Sequence, residues 1–151
     1  MLYDSERGDI SLMLLGDVIP TRRLAVFGEE RYLQLKDLCN SADATFANLE
    51  TAVHRYLEGH QNISGGTYMT TEPQLLEDLK WLGVNFVSTA NNQAYHYGEE
   101  GILPTCHHPD AAGIVHPRSG GPMREARAPP HLATRPGRKP WRAGNATTAT
   151  P

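Results

Sequence analysis

Apolar residues along this chain fall in short clusters divided by polar and glycine-containing breaks. Ile10-Ser11-Leu12-Met13-Leu14-Leu15 is nearly continuous apolar. That pattern predicts a strand covered on both faces, ended by Gly16-Asp17. From Glu29 to Cys39 the apolar residues Tyr32, Leu33, Leu35, Leu38 and Cys39 recur at mixed helical spacing, which predicts a helix. Ala44-Thr45-Phe46-Ala47 reads as a second short strand, ended by Asn48-Leu49-Glu50. Residues 51–70 are polar and contain Gly65-Gly66, so they read as a long loop, a kind of segment often tied to function. Thr71-Glu72-Pro73 opens a helix, with Thr71 as the expected cap and Pro73 in the first turn. Leu75, Leu76, Leu79, Trp81 and Leu82 carry it, and Gly83 stops it. Val84–Thr89 predicts a third strand that runs directly into Ala90-Asn91-Asn92-Gln93. A further helix is expected from near Glu99 to Ala112, with Gly113 as its stop and Ile114-Val115 beginning another strand. Pro104 and Pro109 lie inside that helix, where each costs about 3 kcal/mol, so the pattern predicts it broken or short.

Alternating strands and helices predict an α/β domain with at least a partly parallel sheet. In such sheets, ligands bind at the carboxyl ends of the strands. Here those ends carry Asp17, then Asn48 and Glu50, then Asn91 and Asn92. A lone Asn-Asn pair is ordinarily a turn, and Asp17 or Glu50 alone would be a turn or surface carboxylate. Three ends along one sheet edge imply a site. Carboxylates with carboxamide oxygens are hard donors, suited to Mg²⁺ or Mn²⁺. Asp17 and Glu50 are the natural charged ligands, and Asn48, Asn91 and Asn92 are metal-capable carboxamides at the same strand ends. Arg22 and Arg23 have two readings, solvent exposure or binding of an anionic substrate such as a phosphoester. The seven histidines show no HExxH or paired spacing and read as surface or loop residues; His96 stands apart because it lies beside the carboxamide row.

Composition changes this picture only at one end. The 151 residues are 39% hydrophobic and 21% charged, with net charge -3, the make-up of a soluble globular protein without a nucleic-acid or membrane partner. No stretch reaches the length of a membrane span. The first residues, MLYDSERGDISLMLL, lack the basic start and long apolar core of a signal peptide, so a cytoplasmic location is expected. Cys39 and Cys106 have no metal or redox spacing and read as reduced thiols. Residues 1–115 hold sixteen acidic and seven basic side chains, whereas residues 116–151 hold one and seven, together with seven of the eleven prolines. Scattered basic charge among Pro and Gly points to disorder.

The blocks LMLLGDV, DATFANLETAV and LGVNFVSTANNQAYHYGEEGI, followed by DAAGI, resemble the motif series of the CapA family of poly-γ-glutamate capsule synthesis proteins. The resemblance covers residues 10 to 116, with a weaker continuation in EARAPPHLATRPGR to about Gly137. It implies an α/β, metallophosphatase-like sheet flanked by helices, with divalent-metal ligands on the loops. Asp17 then matches the family's Gly-Asp block, Asn48 and Glu50 its Asn-Leu-Glu block, and Asn91 and Asn92 its Asn-Asn-His block; the resemblance thereby implies Asp17, Glu50 and Asn92 as metal ligands and Asn48 and Asn91 as substrate-binding residues. Gln93 stands where the family has a catalytic His, and His96 where it commonly has Asp; these are the candidate catalytic positions. Gln can donate a hydrogen bond but cannot transfer a proton at neutral pH. The family domain continues for about as long again, so the chain is expected to hold only its N-terminal part: residues 1–137 as a truncated CapA-like domain, residues 138–151 as a divergent, disordered tail. Two functions follow from the resemblance. One is a metal-dependent hydrolase-like domain of capsule or poly-γ-glutamate metabolism. The other is a degenerate, non-catalytic module that binds an anionic polymer or a partner. A half-domain with an uncovered edge is also expected to self-associate.

Overall fold

The computed structural model describes residues 10–55, 67–117, 130–132 and 141–142. A parallel sheet is built from β1 (Leu12–Val18), β2 (Ala44–Leu49) and β5 (Phe86–Ser88), in the order β1-β2-β5. Val115 extends it by one parallel bridge to Phe86: Val87 N donates to Val115 O at 2.9 Å, and Val115 N to Asn85 O at 3.0 Å. Three helices pack beside one another against this sheet: α1 (Glu30–Ser41), α2 (Leu75–Leu82) and α3 (Gly98–Ala112). The α/β class and parallel sheet read from the apolar pattern, and the flanking helices that the resemblance implies, are therefore what the chain forms. The core joins Ala47 and Leu49 of β2 and Val84 and Val87 at β5 to Leu76 and Leu79 of α2, with Ala112 and Ile114 at the end of α3.

Local chemistry explains most boundaries. Gly83 ends α2 at φ 111°, and its N–H donates to Leu79 O and Lys80 O. A Cβ there would lie 2.9 Å from the backbone of Cys39 and Asn40, so the position needs glycine both for its backbone angle and for the close passage of α1. Asn40 Nδ2 completes the junction by donating to Trp81 O and Leu82 O at 3.3 and 3.2 Å. Tyr32 stacks on Trp81 at 5.9 Å, and burial pushes its phenol pKa up. Burial likewise raises the Cys39 thiol.

Four expectations are corrected. First, β1 does not stop at Gly16-Asp17 but runs through both to Val18, and it is not covered on both faces: Leu12 is 48% and Leu14 71% exposed. It is the edge strand of the described sheet, so only Leu15 and Val18 lean on the core. Second, residues 51–70 are not simply a polar loop. β3 (Ala52–Val53) and β4 (Thr70–Thr71) pair in parallel, and Thr51 through His54 are buried; residues 56–66, with Gly65-Gly66, lie outside the described residues. Third, Thr71 is a strand residue rather than a cap. Its hydroxyl donates to Pro20 O at 3.1 Å, and α2 starts after Pro73 with no side-chain cap. Fourth, α3 is unbroken through Pro104 and Pro109. Each proline removes one helical N–H, but Gly101, Thr105, Pro109 and Ala112 are buried along the helix, and that packing outweighs the local cost. Of the tail expected to be disordered, only Trp141–Arg142 is described, as β7 paired antiparallel with β6 (His131–Leu132).

Candidate functional site

The carboxyl ends of β1 and β2 meet through a change of register. Leu14 pairs with Phe46, but Asp17 pairs with Asn48, so β1 spends one extra residue over the same stretch. Side chains alternate along a strand, and a one-residue bulge reverses which face the next residue takes. Without it Asp17 would face the core. With it Asp17 stands beside Asn48, on the face that also carries Phe46 and Ser88.

Asn48 joins the site together. Its Nδ2 donates to Asp17 Oδ1 at 2.9 Å and makes a short hydrogen bond to Glu50 Oε2. Its Oδ1 accepts from Asn91 Nδ2 at 3.1 Å. Asn91 Nδ2 also donates to Leu49 O at 2.7 Å, and Asn91 Oδ1 accepts from Gln93 N at 3.1 Å. The second bond makes Asn91 the cap of a 3₁₀ turn over Asn92–Tyr95. Asn91 therefore does two things: it caps a turn, and the same side chain ties that turn to Asn48.

The structure therefore brings together Asp17, Asn48, Glu50 and Asn91. Asn92 lies exposed at the first position of the 3₁₀ turn, and among the described residues it has no hydrogen bond to this group. Gln93 Oε1 and His96 Nδ1 are buried and have no hydrogen-bond partner among the described residues, and the His96 ring sits 5.1 Å from Tyr68. Arg22 is exposed. Arg23 has a partner of its own: Nε donates to Asp78 Oδ2 and Oδ1 at 2.8 and 3.0 Å. Asp78 is buried and also accepts from Leu24 N at 2.6 Å and Ala25 N at 3.1 Å. Arg23's hydrogen bond, helped by the two backbone N–H groups, holds the Asp78 carboxyl below the usual carboxylate range although burial acts the other way.

Two histidines depart from the surface-or-loop reading: His54 and His116 are both 5% exposed. His54 Nδ1 lies 2.8 Å from Arg55 O, its ring packs 4.2 Å from Tyr97, and its Nε2 is buried without a partner among the described residues. The parallel pairing of β3 and β4 and the packing of Tyr97 bury it, and the short Ala52-Val53 run after Glu50 was the sequence signal available.

The donor chemistry fits a hard divalent cation held loosely. Asp17 and Glu50 both reach one amide nitrogen, and Mg²⁺-type ions commonly bind through one or two carboxylates while keeping several waters. It does not fit a closed cage, since the described residues contain no group of three or more His, Cys, Asp or Glu able to hold a metal.

Comparison with known proteins agrees with the motif blocks. Residues 11–147 match the family described as bacterial capsule synthesis protein PGA_cap. Two relatives from Sinorhizobium fredii (strain NBRC 101917 / NGR234), named uncharacterized protein y4sH and uncharacterized protein y4uA, are each 34% identical over 131 residues. Those alignments take in 85% of this chain and 28% of each relative, so the chain spans under a third of the length of the curated relatives it matches. No helix among the described residues is long and apolar enough to cross a membrane. With the family match extending over nearly the whole chain and the Asp17–Asn48–Glu50 junction at its strand ends, the chain belongs to the bacterial capsule synthesis protein family.

Proposed function

We propose that Asp17 and Glu50 hold a divalent cation, Mn²⁺ or Mg²⁺, in a hydrolase-like site acting on an anionic substrate of capsule metabolism, either a phosphoester or poly-γ-glutamate itself. The observation that carries this reading is the convergence of both carboxylates on the Asn48 amide at the carboxyl edge of a parallel sheet. A bound cation would polarise a phosphoryl or carbonyl oxygen and activate water. The chain's own residues would supply the rest. Asp17 and Glu50 provide the negative charge that attracts the cation, while Asn48 and Asn91, whose carboxamides are engaged with each other, with the two carboxylates and with main chain, hold those carboxylates in place. Arg22, exposed in the segment that follows β1, would supply a cation for the anion, while Arg23 braces that segment through Asp78.

A second reading is supported by one residue. Gln93 offers an amide where proton transfer would need an imidazole, so the same site could bind an anionic polymer or partner without turning it over. Calorimetry with Mn²⁺ on wild type and Asp17→Asn tests the metal reading. Wild type is expected to bind weakly and Asp17→Asn at least about 10–100-fold less, since loss of a ligand should exceed the effect of losing an outer partner. Equal binding by the two would reject the site. Binding without phosphoester turnover would favour the second reading.

A further inference from the structure

The hydrogen-bond pattern at the site leaves Asn48 one orientation. Asn91 is anchored to main chain at both ends of its carboxamide. Leu49 O can only accept, so the atom 2.7 Å from it is an NH₂; the Gln93 N–H can only donate, so the atom 3.1 Å from it is the oxygen. The remaining hydrogen of the Asn91 NH₂ points at Asn48, 3.1 Å away, and requires an oxygen there. Asn48 must then turn its own NH₂ the other way, onto Asp17 and Glu50, where each hydrogen finds one carboxylate. Every donor of these two carboxamides has an acceptor. Turning Asn48 over would set two NH₂ groups face to face at Asn91 and an oxygen against two carboxylates.

We propose that Asn91 is a positioning residue that keeps the Asn48 NH₂ between Asp17 and Glu50, so that this amide serves as an internal stand-in for a cation and must be displaced before a divalent ion can use both carboxylates. The inference rests on the metal reading of Asp17 and Glu50, but it concerns a contact that exists without metal. Its consequence runs against the usual effect of damaging a site. Removing Asn91 frees Asn48 to swing away, or to present its oxygen to the ion. The cation should then bind more tightly, not less.

The test uses the full chain, wild type and the variants Asn48→Ala, Asn91→Ala and Asn48→Ala/Asn91→Ala. Two readouts are needed. Without metal, nitrogen–proton NMR of side-chain carboxamides reports on Asn48, whose signal is assigned by its loss in Asn48→Ala. It is expected away from the free-carboxamide position in wild type and shifted toward that position in Asn91→Ala, where only the two carboxylates still hold the amide. With Mn²⁺, calorimetry is expected to show about three- to tenfold tighter binding for Asn91→Ala, the net worth of one or two hydrogen bonds. In the Asn48→Ala background the Asn91 change should add nothing, because Asn91 acts only through Asn48.

An unmoved Asn48 signal in a folded Asn91→Ala protein would overturn the proposal. So would unchanged or weaker Mn²⁺ binding, or the same gain in both backgrounds. If no variant binds Mn²⁺, the metal reading and the stand-in role fall together, while the NMR arm still decides whether Asn91 orients Asn48. Should Asn91→Ala not fold, Asn91→Asp serves. It keeps the oxygen for Gln93 N but faces Asn48 with an acceptor, so the Asn48 signal must move. Its added charge is common to both backgrounds and cancels in the comparison.

Discussion

Asp78 and Asp17 are both aspartates that accept side-chain hydrogen bonds, yet they occupy opposite regimes. Asp78 is buried on α2 and accepts from the Arg23 guanidinium and from Leu24 N and Ala25 N, so its charge is answered by a cation and by two main-chain donors that cannot leave. Asp17 is exposed at the end of an edge strand and shares a single neutral amide with Glu50. A carboxylate whose partners are fixed stabilises the fold. A carboxylate whose partner is one rotatable carboxamide keeps capacity for an external cation. The Arg23–Asp78 pair also explains why Arg23 has a structural task rather than an open one.

The contrast can be tested by giving the open end what it lacks. Gln93→His adds an imidazole able to transfer protons near neutral pH beside the Asn91 turn. Turnover of a generic phosphoester is expected to rise by about 10²–10⁴ in Mn²⁺, the usual worth of acid–base catalysis, and not to rise without metal. A steady-state assay with and without Mn²⁺ checks this, and a metal-independent gain would separate the site from its proposed cation.

The second expected effect is on stability. Asp78→Asn leaves the Leu24 and Ala25 N–H groups and the guanidinium with a poorer acceptor, and should cost about 2 kcal/mol, the mid-range for an unsatisfied buried group. Because Arg23 is half-exposed, water offsets part of the loss. Asp17→Asn should stay within about 0.5 kcal/mol of wild type, as for a surface change. Urea melts of the two variants check the ordering, and equal losses would erase the distinction drawn here.

The third effect depends on pH. The Asp78 carboxyl is held below its ordinary value, so the folded state binds that proton less readily than the unfolded chain does. Its contribution is fully present above the unfolded value of about 3.9 and is lost as pH falls through the lower folded value. Wild type and Asp78→Asn should therefore differ most near neutral pH and converge in acid, as melts at stepped pH would show.

The smallest effect belongs to exposed carboxylates. Asp37→Asn, on the solvent side of α1, should change neither Mn²⁺ binding nor stability by more than about 0.5 kcal/mol. Asp43→Asn is a poorer control than its position before β2 suggests, because Asp43 Oδ2 accepts from Ser11 N at 3.0 Å and Ser11 Oγ at 2.7 Å. It should cost about 1 kcal/mol without touching the site. Paired melts and calorimetry of these two variants measure the background against which Asp17 is judged.

Much of this was legible in the chain. The apolar runs near Leu12, Ala44 and Phe86, the helical spacing from Tyr32 to Cys39, and the Gly83 and Gly113 stops follow from periods and backbone freedom that short segments carry by themselves. The motif blocks likewise placed Asp17, Asn48, Glu50 and Asn91 at strand ends before any contact was visible.

What short segments do not carry is which partner wins. The survival of α3 through two prolines depends on burial supplied by distant residues. The burial of His54 depends on β3 meeting β4 across a long connection, and the pairing of Arg23 depends on a helix 55 residues further along. The turning of Asp17 onto the Asn48 face depends on one extra residue in β1, counted only against β2. The sequence by itself determined which residue types stand at the strand ends, because local period and turn chemistry put them there. Only the tertiary structure decided that Asp17 and Glu50 share one amide while Asp78 takes a guanidinium, because hydrogen-bond partners are chosen by distance in space, and register and packing set those distances.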